Sequence, residues 1–304
     1  MQHTSHLLMI KPVRFNFNAE TAVNNSFQVN TSDDSVQAKA LKEFETFIET
    51  LSNHGIDVTV IHDTPEPHTP DSVFPNNWIS FHENGSVLLY PMFASNRRKE
   101  RKQHVLDIIK EKFQVKQTLN LSDYENENLF LEGTGSMVLD RENKIAYACL
   151  SPRTDKNILQ KFCDEMGYTP ISFMATDEMH QPIYHTNVMM CVADKFAVIC
   201  LDSIQNNSEK KRVTDSLKLT GKQVIEISFF QMNHFAGNML QVHNASNKKF
   251  LVMSSQAYHS LSNEQIQDIE HFNPIIHSDI STIETNGGGS ARCMMAEIFL
   301  PLLG

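Results

Sequence analysis

Along this chain of 304 residues the spacing of apolar positions changes period again and again. Short continuous or alternating apolar runs predict strands at "HLLMIKPV", at Ile56 to Ile61, at "SVLLYPM", and at the pair "SMVLD" and "IAYACL". "VMMCVADKFAVICL" reads as two more strands joined at Asp194 and Lys195. Elsewhere the period lengthens. Val36, Ala40, Leu41, Phe44, Phe47, Ile48 and Leu51 recur at helical spacing, with Ser or Asp to cap the start and Gly55 to stop the end. Further helices are expected at Arg97 to Phe113, near Lys210 to Leu219 and from Ser262 onward. "QVIEIS", "NMLQVHN" and "KFLVMS" add strands, and the closing "CMMAEIFL" reads as a helix. Strands and helices alternate throughout, with hairpins interspersed and no low-complexity linker. The pattern predicts one α/β domain of mixed sheets over residues 1–304.

Composition narrows the partners. Hydrophobic residues at 40% and charged residues at 20% describe a globular chain with ample core. A net charge of −10 argues against a polyanion-binding surface, so no nucleic-acid partner is expected. "MQHTSHLLMIKPV" lacks a cationic segment ahead of its short apolar run, and no stretch reaches transmembrane length. The expectation is a cytoplasmic protein with no membrane association; a homodimer stays open.

The local motifs argue against two chemistries. "RFNFNAETAVNNSF", after the first strand, contains no glycine, and the triple glycine near the C-terminus precedes no Lys-Ser/Thr pair. Neither a dinucleotide fold nor a phosphate loop fits. The five cysteines show no CxxC spacing, which argues against a zinc knuckle or a disulfide framework. Cys149, Cys191 and Cys200 look like buried strand positions, and Cys163 lies in an expected helix.

Cys293, in "ETNGGGSARCMMAEI", is different. Gly287, Gly288 and Gly289 permit unusual backbone and let a ligand approach closely. In the first turn of a helix, beside Arg292, the thiol would be activated. A glycine-rich loop ending at a buried structural cysteine is the other reading. His185, in "QPIYHTNVMMCV", stands just before an apolar strand, where active-site groups often project. Glu132, in "FLEGTGS", could bind a substrate N–H or tune the histidine. A cysteine, a histidine and a carboxylate at such positions form a pointed set.

With these segments in view, the chain resembles the guanidino-group-modifying superfamily of arginine deiminase, dimethylarginine dimethylaminohydrolase and the amidinotransferases. It is most similar to the citrulline-utilisation hydrolase branch. The resemblance runs from "HLLMIKPVRFNFN" through "PDSVFPNNW", "LEGTGS", "SPRTD", "YHTNVMM" and "FAGNML" to "NGGGSARCMMAEI". It implies a pentein fold, an α/β propeller of five ββαβ modules about a pseudo-fivefold axis with the active site at the centre. It further implies Cys293 as nucleophile, His185 as general acid/base and Glu132 as the carboxylate on the substrate nitrogen. Arg97 or Arg98 in "ASNRRKE" and Arg153 in "SPRT" occupy places where relatives hold the substrate α-carboxylate; a surface-helix role for Arg97 and Arg98 stays open. Asp71 would reach the α-amino group or cap the Pro-rich turn. No metal or organic cofactor is implied.

The departures from the deiminases bear on substrate. Where arginine-binding relatives place acids, this chain has Asn77, beside Asn76, and Asn187. A carboxylate facing a guanidinium makes a strong charge-assisted bond, whereas an amide offers a donor and an acceptor without charge. A ureido group wants that mixture. The expected substrate is therefore a small amino acid, citrulline or a related compound, hydrolysed at its ureido C–N bond. A deiminase or amidinotransferase acting on a guanidino group, and a non-catalytic ureido- or guanidino-binding protein, are the alternatives.

Overall fold

The computed structural model describes residues 1–31 and 35–303. Its strands form five three-stranded sheets with one repeated plan. In each, a short first strand pairs antiparallel with a second, a helix follows, and a third strand returns parallel to the second. The first such module comprises Ile79–Phe81, Ser86–Leu89, the helix Gln103–Lys112 and Gln117–Asn120. The second comprises Val138–Asp140, Ile145–Cys149, the helix Lys156–Met166 and Thr169–Phe173. Met190–Val192, Phe196–Ile199, Asn207–Leu219 and Gln223–Glu226 make the third. Leu240–His243, Lys249–Ser254, Asn263–Phe272 and Ile275–Ser278 make the fourth.

The fifth sheet joins both ends of the chain. Ala296–Ile298 pairs antiparallel with His6–Lys11, which pairs parallel with Asp57–His62 across the helix Val36–Asn53. That helix buries Val36, Ala40, Phe44, Phe47 and Leu51 against the sheets, the stripe its spacing predicts. Ser35 stands at its start without a side-chain cap bond; Asp33 and Asp34 lie outside the described residues.

Ahead of the first strand in each module the chain makes one tight turn. These turns are Pro75–Asn77, Gly133–Ser136, Thr186–Met189, residues 235–238 and Ala291–Met294. They pack on one another: the second touches the first and third, and the fifth touches the first.

Three expectations are corrected. The basic helix is broken into Ser95–Arg98 and Gln103–Lys112, because each basic side chain has its own acceptor on a different side. Arg97 goes to Glu100, Arg101 to Glu125 and Lys102 to Asp63. "CMMAEIFL" is not a helix: one turn ends at Met294 and a strand begins at Ala296. Cys200 follows its strand and leads a 3-10 turn; it is buried all the same. Among the described residues no helix is long and apolar enough to cross a membrane.

Candidate active site

Cys293 lies in the fifth turn, buried, with its amide donating to Ser290 O at 2.9 Å. Its sulphur accepts two amide N–H groups, Asn187 Nδ2 and Asn238 Nδ2, each at 3.3 Å. Arg292 turns away, giving Nη1 to Met295 O and Nη2 to Glu297, so it brings no charge to the sulphur.

His185 caps the third turn, and its Nε2 meets Glu132 Oε2 at 2.7 Å. Burial pushes Glu132 up, but Arg153, the His185 contact and Arg97 outweigh it and hold the carboxyl down at about 2. For His185 burial dominates; with Arg153 and Arg97 it lowers the ring to about 4 against the pull of Glu132. At neutral pH the pair is therefore a carboxylate and a neutral imidazole. Because an ionised carboxylate only accepts, Nε2 carries the ring proton and Nδ1 remains an acceptor. Gly135 makes room for this ring: a Cβ there would lie 2.8 Å from His185 Nδ1 and 2.4 Å from Asn77 Nδ2.

A narrow cleft lies between these turns and the triple glycine. Cys293, His185, Asn77, Asp71, Arg97, Arg153, Gly288 and Gly289 all line it. Asp71 Oδ2 accepts from Asn18 Nδ2 at 2.7 Å and Thr21 Oγ1 at 3.2 Å, while its buried Oδ1 has no partner. Burial raises the Asp71 carboxyl despite Arg97 and these donors. Arg153 gives Nε to Asn24 Oδ1 at 2.9 Å and Nη2 to Thr21 O at 2.8 Å, with Nη1 3.5 Å from Glu132. Its guanidinium lies 4.9 Å from the centre of the Tyr184 ring.

Arg97 is more committed. Its Nε and Nη2 grip Glu100 at 2.9 Å each, Nη2 also reaches Phe74 O, and Nη1 donates to Asn77 Oδ1 at 2.7 Å. Asn77 Nδ2 is left without a partner.

The other expected site residues stand off the cavity wall. Arg98 is not at the site: it pins the carbonyls of Met92 and Phe93, which draws it outward. Asn76 donates to Thr134. Glu132 accepts from the Phe93 N–H with Oε1 and from His185 with Oε2. Asn187 contacts the sulphur.

Residues not foreseen complete the enclosure. Thr21, Asn24 and Asn25 come from the glycine-free loop after the first strand, whose density of amides was its signal. Tyr184 donates to Gly288 O at 2.7 Å, and Asn25 Nδ2 reaches the same carbonyl at 3.1 Å. Gly288 adopts φ +65°, and a Cβ on it would fall 2.5 Å from Asn25 Nδ2. No cluster of His, Cys, Asp or Glu among the described residues could hold a metal.

Five ββαβ-patterned sheets with a cysteine, a histidine and a carboxylate on their leading turns define the guanidino-modifying pentein superfamily, and the comparisons agree. A sequence profile described as "N,N dimethylarginine dimethylhydrolase, eukaryotic" matches residues 11–300, and the chain belongs to that family. None of the curated protein sequences compared with it matches. Among solved structures it is similar to apo ArgZ, an arginine dihydrolase from the ornithine-ammonia cycle in cyanobacteria. That match has 16% identity and a TM-score of 0.76, covering 98% of this chain and 41% of ArgZ. The product-bound N-terminal domain of ArgZ gives the same identity and TM-score, and there the match covers 99% of the neighbour. An adduct of dimethylarginine dimethylaminohydrolase with S-methyl-L-thiocitrulline matches at 14% identity and TM-score 0.63, covering 98% of this chain and all of that one. At these identities the neighbours establish the fold.

Proposed function

We propose that the chain is a cysteine-dependent hydrolase that cleaves the ureido C–N bond of citrulline to ornithine and carbamate, which decomposes to ammonia and carbon dioxide. One observation carries the choice of substrate group. The Arg97 bond to Asn77 Oδ1 fixes that amide, and its partnerless Nδ2 lies beside His185, in a residue that lines the cleft. A guanidinium has only N–H donors and would meet this N–H donor to donor; a ureido C=O accepts it. The partnerless Asp71 Oδ1 suits an α-ammonium group, and Arg153 suits an α-carboxylate taking the place of Asn24 Oδ1.

The chemistry follows from the proton inventory. His185 Nδ1 takes the Cys293 proton, and the thiolate attacks the ureido carbon as the C=O electrons move onto oxygen. Asn77 Nδ2 meets that oxygen. The C–N bond breaks, and the departing ornithine amine takes the proton from His185, whose imidazolium is balanced by Glu132. A carbamoyl thioester remains. Water, losing a proton to His185, adds to it; the C–S bond breaks and sulphur recovers the proton. No step calls for a metal or an organic cofactor. The same reading takes residues 1–304 as one cytoplasmic domain whose five sheets close about a pseudo-fivefold axis; the sheet built from both chain ends supports it.

A guanidino substrate is the second reading, favoured by the family match. Purified protein incubated separately with citrulline, arginine and dimethylarginine, with ornithine and ammonia assayed, separates the two. Ornithine should form from citrulline. Consumption of a guanidino compound with citrulline untouched would overturn the ureido assignment. Cys293→Ala should lower turnover by at least about 10⁴-fold, and retained activity would end the nucleophile assignment.

A further inference from the structure

Four of the five leading turns supply a group with a place in this scheme: Asn77, the turn at Glu132, His185 and Cys293. The fifth contributor is Asn238, ahead of Leu240–His243, fully buried and without a role so far. We propose that Asn238, together with Asn187, is a catalytic residue that stabilises Cys293 as a thiolate through uncharged N–H donors. The proposal rests on Cys293 being the nucleophile of the reading above.

Geometry fixes which end of Asn238 faces the sulphur. Its Oδ1 accepts from Arg292 N at 2.9 Å, while Nδ2 donates to Asn187 O at 2.9 Å and to Cys293 Sγ at 3.3 Å. Turning the amide over would set oxygen against the Asn187 carbonyl and N–H against the Arg292 N–H, losing both bonds at once. The donor is thus locked onto the sulphur, and the same side chain ties the cysteine turn to the histidine turn. Gly237, one residue earlier, packs closely enough that a Cβ would lie 2.3 Å from Val188 O, so this turn cannot drift from the histidine turn.

The charges that could hold down a thiol are committed elsewhere. Arg292 faces Glu297, Arg97 grips Glu100, and Arg153 stands 3.5 Å from the Glu132 carboxylate. His185 is neutral at pH 7, and across the cavity stand Tyr184 and Asp71, whose ionisation would only oppose a thiolate. That leaves the two carboxamides. Hydrogen bonds that strengthen when an acceptor ionises favour the ionised form.

The test reads the thiol itself, without any substrate. The pH dependence of iodoacetamide alkylation at Cys293, located by peptide mass mapping, is compared in the wild-type protein, Asn238→Ala, Asn238→Ser and Asn187→Ala. The other cysteines stay silent below pH 9, since burial pushes Cys149, Cys163 and Cys191 up to about 12 and Cys200 to about 11. Each folded variant, checked by circular dichroism, should show the alkylation pKa raised by about one unit and the rate at pH 7 slowed about tenfold. An unchanged profile in any folded variant overturns the proposal. Asn187→Ala serves even where both Asn238 variants fail to fold, because Asn187 lacks the bond to Arg292 N. A wild-type Cys293 that alkylates normally while citrulline is untouched refutes the substrate assignment alone.

Discussion

Two buried arginine–glutamate pairs flank the cavity, and the tighter one has the less acidic carboxyl. Arg97 holds Glu100 through two bonds of 2.9 Å, whereas Arg153 comes only within 3.5 Å of Glu132. Burial raises Glu100 to about 7 in spite of Arg97, helped by Asp71 and Asp63; Glu132 is held at about 2. The closest partner does not decide the charge. Glu100 shares one cation with other acids, while Glu132 collects Arg153, the His185 N–H and the field of Arg97. One pair therefore aligns Arg97, and through it Asn77; the other keeps a permanent anion behind the imidazole.

The largest expected contrast is in turnover. Glu132→Gln removes the anion that balances the imidazolium and should lower kcat on citrulline by roughly 10²–10³-fold. Glu100→Gln keeps an acceptor for Arg97 and should cost less than about tenfold; equal losses in steady-state assays would break the comparison. A smaller, differently shaped effect is expected on the Asp71 side. If Asp71 holds the substrate amine as proposed, Asp71→Asn should raise KM about tenfold or more with kcat nearly unchanged, through loss of a charge-assisted bond.

The smallest effect is a pH slope in stability, and there the two pairs oppose one another. His185 at about 4 lies below its ordinary 6.5, so between those values the unfolded chain binds the extra proton and stability falls on acidification. Glu132, lowered from 4.5 to about 2, acts in the same direction further down. Glu100, raised from 4.5 to about 7, is protonated in the folded state across that window and contributes stability that is lost as pH rises through 7. Removing it as Glu100→Gln should steepen the loss of stability between pH 7 and 5, by on the order of 1 kcal/mol in urea titrations. A shallower slope would contradict the assignment of Glu100.

Much of this was legible from local pattern. The helix from Val36 and the strand pairs at Val138–Asp140 with Ile145–Cys149, and at Met190–Val192 with Phe196–Ile199, follow apolar periodicity directly. "CMMAEIFL" misled because Met294, Met295, Ala296 and Ile298 are all buried, and a short run buried on every side carries no period. A charge run likewise does not announce that Arg97 is buried by Glu100 while Arg98 faces outward. In the site, Cys293, His185 and Glu132 stood out because glycines or an apolar strand adjoin them. Asn238 has similar neighbours, Gly237 and the strand from Leu240, but an amide names no chemistry by itself, and its partners Asn187 and Cys293 are 51 and 55 residues away in sequence. The pairing of His6 with Ile298 is likewise beyond any local window.

That last pairing bears on the order of folding. Contacts between residues so far apart close late, because the loop entropy must be overcome before they gain anything. Cys293 lies three residues before the strand that makes this closure. The other four leading turns can be shaped within their own modules, but the sulphur takes its place only when the two ends of the chain meet. Completion of the fold and completion of the site are then one event, and alkylation of Cys293 during refolding would time it.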